Sequence, residues 1–280
     1  MAITLPLLLR NQLKESLLSQ PALSYPLSLP EHLQKNRGNL LKRARMIRQI
    51  RTFFDAQAFT ELDIPALTPM VSIELLAGCT EKFYALNGQE GTLQWYRNSS
   101  NDRQIMADII GLLRGVAHLS SDNLFHNSTS TKNCDPFQDC LFLSLAEAFT
   151  LFCGIDLLAT LPSPQKPAAL HLASEAQRLG IQLTQAADWQ NMCQQIIAGH
   201  IAPKLGAPQP AIIHDWPTAP HIQGQQDIKP SHYFQLYING QQLATGFSWQ
   251  EISGIHLNIN MLAMLLTASN TVGDVCWLAT

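Results

Sequence analysis

Charge is what this sequence has least of. Only 14% of its 280 residues are Asp, Glu, Lys or Arg, against about 25% in an average soluble protein. With 46% hydrophobic residues and a net charge of −3, the chain is no disordered segment, which needs low hydrophobicity and high net charge. Its length suits one large domain or two ordinary ones with a substantial core. The shortage is also uneven. Nine of the eighteen Lys and Arg lie within residues 1–51, and the last arginine is Arg178. The 102 residues that follow hold only Lys204 and Lys229 as cations, with Asp188, Asp215, Asp227, Glu251 and Asp274 as carboxylates. A nucleic-acid surface needs clustered Lys and Arg, so none is expected on that half.

Long apolar runs are missing too. The longest stretches, such as 257–268, fall well short of the roughly 20 residues that span a bilayer. The start, MAITLPLLLRNQLKES, has no basic region ahead of its apolar run and no small-residue cleavage site. A cytoplasmic protein is the expectation. The six cysteines (Cys79, Cys134, Cys140, Cys153, Cys193 and Cys276) form no CxxC pair and read as reduced thiols, several of them buried. Cys134 and Cys140 flank Asp135 and Asp139, but no His or Cys stands at zinc spacing, and no metal site is expected. Internal repeats and low-complexity tracts are also lacking.

What is present alternates between helix and strand signals. Residues 1–38, broken by Pro6, Pro21, Pro26 and Pro30, read as an N-terminal extension, with a single domain over 39–280. Over 40–57, Leu41, Ala44, Ile47, Ile50 and Phe54 recur at helical spacing opposite Arg43, Arg45, Arg48 and Arg51. A short strand ends at Pro65. Strands are predicted at 82–86 and 92–97, then a helix near 102–113, a polar loop at 120–135, and a strand and helix in CLFLSLAEAFTLFCGIDLL. A proline-rich connector at 160–168 leads to helices near 171–179 and 185–200. PAIIH reads as a buried strand, and HYFQLYINGQQLATGF as a hairpin turning at Asn239-Gly240. SGIHLNINMLAMLLTASNTVGDVCWLAT reads as a strand entering an apolar helix. This order predicts an α+β fold on an antiparallel sheet flanked by helices.

Particular segments resemble the catalytic core of class II aminoacyl-tRNA synthetases of the lysyl type, and above all the related ligases that attach β-lysine to elongation factor P. LLKRARMIRQIRTFFDAQAFTELDIPAL resembles the first class motif, which implies a dimer interface at Pro65. GTLQWYRNSSND resembles the strand and Thr-Ser-Pro-Glu turn ahead of the second motif, and LSLAEAFTLFCGIDLL a helix beyond it. FQLYINGQQLATGF is similar to the strand pair FE-x-x-x-x-G-x-E-x-A-N-G, and SGIHLNINMLAMLLTASNTVGDV to the third motif, a Gly-rich strand entering a helix. The resemblance covers about 39–280 as islands.

That family activates an amino acid with ATP, offsetting the charge on the α-phosphate with two arginines and carboxylate-held Mg²⁺. The matched positions here have lost those charges. No Arg, Lys or Glu lies between Gly115 and Thr131, and Ser121 is the best match to the second-motif arginine. The third-motif GVDR becomes Asn258-Ile259-Asn260-Met261, placing Met261 at the ATP-contacting arginine, and no arginine follows Arg178 to rescue it by a shift of register. The two glutamates of the strand pair fall on Gln235 and Gln242, and its asparagine on Thr245. The Thr-Ser-Pro-Glu turn becomes Asn98-Ser99-Ser100-Asn101, which makes Ser99 and Asn101 matched substrate-side positions. Glu→Gln keeps an acceptor but loses the charge that holds Mg²⁺ or an ammonium; Arg→Met loses every donor. One lost transition-state donor costs about 10²–10³ in rate, and here several go together.

The expectation is a degenerate relative of these lysine ligases, with no catalytic residues and no cofactor, in a binding or regulatory role as a homodimer or as a heterodimer with an active relative. The alternative is an active ligase, which would need ATP and Mg²⁺ and would modify elongation factor P or another acceptor. With about 38 residues ahead of the core, tRNA is not an expected partner. Gln235, Gln242 and Thr245 either line a neutral pocket for a small polar ligand or fill the cleft. Met261, Met264 and Leu265 read as core, and His214, His221 and His232, which share no common spacing, as surface or satisfied histidines rather than a metal or base cluster.

Overall fold

The computed structural model describes residues 30–65, 70–98, 102–128, 131–161, 168–183, 188–217 and 232–277. By their contacts the residues divide into two units, Met1–Arg37 and Gly38–Thr280. In the first unit the chain turns helical directly after Pro30, and Asn36 Nδ2 lies 3.2 Å from His32 Nδ1, one turn away.

Helix α1, Glu31–Ala56, runs on from there, starting inside the segment read as an N-terminal extension and nine residues ahead of the helix expected from residue 40. Its buried stripe is Leu40, Arg43, Met46, Ile50 and Phe54. The expected stripe was turned by one residue at its start. Leu41 is 44% exposed and Ala44 is exposed, while Arg43 is buried with Nη2 donating to the Gly88 carbonyl at 3.2 Å. Each large side chain of the stripe contributes about 1.5–3 kcal/mol over leaving it in water, so the better-packed register wins over the one that keeps Arg43 in solvent.

Among the described residues ten strands follow: β1 Thr60–Glu61, β2 Lys82–Asn87, β3 Thr92–Asn98, β4 Phe125–His126, β5 Asn133–Cys134, β6 Leu141–Ser144, β7 Ala211–His214, β8 His232–Ile238, β9 Gln241–Trp249 and β10 Ile252–Asn258. The further helices are α2 Met70–Cys79, α3 Asp102–Ala117, α4 Leu145–Cys153, α5 Ala168–Arg178, α6 Trp189–Ile196 and α7 Ile259–Thr267. Eight strands make one sheet in the order β1-β2-β3-β10-β9-β8-β7-β6. Its six central strands are antiparallel, as expected. Both edges depart from that pattern, because β1 pairs parallel with β2 and β6 parallel with β7. The fold is α+β on a mixed sheet. The predicted polar loop at 120–135 closes into the small β4–β5 hairpin.

The sheet's two faces carry different things. One face presents Tyr84, Leu93, Trp95, Ile255, Leu257, Phe234 and Leu236 to α1, α3 and α7. The other is covered at one end by α2, over Phe83, Tyr96 and Phe247. At its other end α4, α5 and α6 pack on Ala211, Ile213 and Tyr237. Between those two covers no described helix packs on the second face. No described helix is long and apolar enough to cross a membrane.

Candidate functional site

Strand register builds the open part of the second face row by row. Tyr96 pairs with Gly254, Gly254 with Phe247, and Phe247 with Tyr233, which makes an aromatic row next to α2. Gly254 is required there, since a Cβ would sit 2.8 Å from the Tyr96 ring and 2.9 Å from that of Phe247. Two residues along each strand, side chains return to the same face. The next row is Gln94, His256, Thr245 and Gln235, one polar residue from each of four neighbouring strands. Ala85 and Ile213 bound it on either side.

Gln242 joins this row through an irregularity. In a regular strand, residues 242 and 245 face opposite sides. A bulge in the β8–β9 pairing, where Leu236 opposes Ala244 but Tyr237 opposes Gln242, turns Gln242 back onto the polar face. Its Nε2 then donates to Thr245 Oγ1 at 3.1 Å.

A cavity of about 440 Å³ lies over these residues, lined by Thr92, Gln94, Gln242, Thr245, His256 and Asn258 among others. This volume is within the range of small-molecule sites. Glu90, exposed on the β2–β3 turn, is the one Asp, Glu, Lys or Arg among the described lining residues. His256 is neutral: burial holds its imidazole down to about 4. Asn258 caps α7, with Oδ1 accepting from the Met261 amide at 2.9 Å.

The other matched positions divide clearly. Gln235 lies beneath the cavity, 2% exposed, with Oε1 accepting from the Tyr237 hydroxyl at 2.6 Å and Nε2 donating to that of Tyr233 at 3.1 Å. Its amide is committed to the floor and does not reach a ligand. Ser121 is exposed in the turn after α3 and does not line the cavity. Met261 and Met264 pack on the core, as read from the sequence, and also line a separate cavity of about 190 Å³ with His126, Asn127 and Ser128. The β4–β5 hairpin, rather than Ser121, thus reaches the Met261 position. Ser99 and Asn101 lie outside the described residues, as does His221. Pro65 is exposed, and its carbonyl accepts from Gln94 Nε2 at 3.0 Å.

His256 was not singled out in the sequence, although a Gly-rich strand was expected there and SGIHLN keeps one glycine. His214 and His232 are brought together after all, with Asp215, on a different cavity of about 870 Å³ beside α3. His214 Nδ1 is 3.0 Å from Asp215 there. None of the described matched positions lines that cavity.

The chain is similar to a lysine–tRNA ligase of Gloeobacter violaceus, 26% identical over 258 residues that cover 76% of this chain and 50% of that ligase. It therefore spans half the length of this relative. Elongation factor P–(R)-beta-lysine ligases of Sodalis glossinidius and Hamiltonella defensa are 23% and 22% identical over 259 and 241 residues, each alignment covering 75% of this chain and 73% of the ligase. No protein-family model matches the chain.

Proposed function

We propose that this lysyl-type class II synthetase-like protein no longer forms an aminoacyl-adenylate and acts as a small-molecule binding module. The observation that carries this is the cavity over the polar row. It is open, it takes in the matched Gln242, Thr245 and Asn258, and its described lining holds no cation to face a phosphate. Adenylate formation builds negative charge at phosphorus, which fixed cations and metal must offset. Gln242 and Thr245 instead bond to each other. Met261 is turned to the core and to a separate cavity.

In this reading the chain is a dimer, with a second copy or an active relative, through α1 and the segment that runs from β1 to Pro65. Elongation factor P is the macromolecule whose modification the module would influence. ATP–pyrophosphate exchange with lysine and with β-lysine tests the reading. The expected result is no exchange above a protein-free blank. Exchange that stops on adding a chelator overturns it.

A further inference from the structure

The hydrogen-bond chain under the cavity determines which proton His256 carries. Gln94 Nε2 lies 3.0 Å from the Pro65 carbonyl. A carbonyl only accepts, so this end of the Gln94 amide is its NH₂. Gln94 Oε1 then takes the hydroxyl proton of Tyr96 at 3.1 Å. Tyr96 has one proton to give. Its oxygen must therefore accept from His256 Nε2, 2.9 Å away. The imidazole is held as the Nε2–H tautomer, and Nδ1 keeps a bare lone pair with no protein partner among the described residues.

Two more groups at the cavity have capacity left. Gln242 uses Nε2 on Thr245 and keeps Oε1 as an acceptor. Asn258 uses Oδ1 on the helix cap and keeps Nδ2 as a donor. We infer that the cavity binds an uncharged primary carboxamide, whose NH₂ is taken by His256 Nδ1 and Gln242 Oε1 and whose carbonyl is taken by Asn258 Nδ2. A carboxylate would bring lone pairs against two acceptors. An ammonium would have only Glu90, exposed on the turn, as a counter-charge, and either ion would leave the cavity's neutral groups imperfectly paired. The inference rests on the binding-module reading and specifies its ligand class.

Benzamide, benzoate and benzylamine test it, since they share one ring and differ in the charge of the head group. Each is titrated into the full chain by calorimetry, and the His256 ring nitrogens are followed by ¹⁵N NMR. Benzamide is expected to bind at least about tenfold more tightly than the other two, which corresponds to one well-made hydrogen bond, and to move the Nδ1 resonance. His256→Phe is expected to weaken benzamide by about the same factor. The resonance on the wild-type protein decides the matter where that variant folds poorly. Equal or tighter binding of benzoate or benzylamine overturns the inference, and so does an unmoved Nδ1 resonance at about 10 mM benzamide. Pyrophosphate exchange separates the two proposals: exchange sinks the binding-module reading, whereas absent exchange with no benzamide binding sinks the ligand class alone.

Discussion

Replacing His256 with glutamine should flatten the protein's loss of stability in mild acid. In the unfolded chain the imidazole titrates at its ordinary value of 6.5, and in the folded chain at about 4. Between those values the unfolded state binds a proton that the folded state refuses. Stability therefore rises with pH across that window and falls as pH drops through it. Below pH 4 both states are protonated and this contribution stops changing. The full difference of about 2.5 pH units is worth roughly 3 kcal/mol as an upper figure, with about 2 kcal/mol already lost by pH 5. Glutamine does not titrate, and its NH₂ can still donate to Tyr96. Urea unfolding of wild type and His256→Gln at pH 7, 6, 5 and 4.5 isolates the effect, because every other titrating group is common to both. The wild type should lose about 2 kcal/mol more than the variant between pH 7 and 5. Parallel curves for the two proteins would show that His256 is not desolvated in the folded chain and would overturn the pH dependence expected from its burial.

Other substitutions probe the frame around the cavity. Gly254→Ala pushes a methyl into the Tyr96 and Phe247 rings and should cost about 1–3 kcal/mol, read as a lowered unfolding midpoint in urea. Asp108→Asn removes the partner of Arg97, whose Nε and Nη2 reach the carboxylate at 2.6 and 2.8 Å in a pair with little exposure. That change should cost about 3–5 kcal/mol, and Arg97→Met/Asp108→Leu together less than the two singles summed. Asn258→Ala removes the α7 cap and should cost about 1 kcal/mol, with benzamide affinity falling as well. Met261→Arg should leave pyrophosphate exchange at the blank, since the new cation would face the 190 Å³ cavity without the carboxylates and metal that the reaction also needs.

Local rules made most elements legible. Asn239 and Gly240 both take positive φ, at 50° and 79°, as the two-residue turn requires, and the β8–β9 hairpin follows directly. The Ser144–Glu147 capping box starts α4 one residue ahead of the expected AEAFTLFCGIDLL, and the left-handed Gly154 ends it five residues short of that span. The Leu40-Leu41 doublet defeated the same reasoning. Periodicity admits either leucine, and only tertiary packing chose Leu40 and buried Arg43 with it. The polar row was legible only in part: the strand pair names Gln235 and Thr245, but not Gln94 or His256. Gln94 comes from β3, far from β8–β10 in the chain, so its alignment with them depends on sheet register, and Gln242 joins through a bulge that no residue type in QQLAT announces. His256 was one histidine among nine until Gln94, Tyr96 and Pro65 were placed around it.

On the proposed reading, the neutral cleft is one coupled change rather than several independent losses. In a site built for adenylation, each carboxylate is held by a cation or metal, and each arginine by a phosphate or acid. Remove the third-motif arginine alone and the remaining acids sit partly buried and unpaired, at several kcal/mol each. Glutamine at 242 relieves that cost while keeping the strand's side-chain volume, and the bulge lets it bond Thr245. Glutamine at 235 goes further, because its NH₂ donates to Tyr233 as a carboxylate could not. A Glu at that position could take the Tyr237 proton on one oxygen and that of Tyr233 on the other, but its charge would be buried with no cation among its partners. Restoring charge one residue at a time should therefore destabilise the fold: Gln235→Glu is expected to lower the unfolding midpoint more at pH 8 than at pH 5, where protonation of the new carboxyl relieves it. Equal losses at both pH values would mean that the row tolerates charge, and that its neutrality has some other cause.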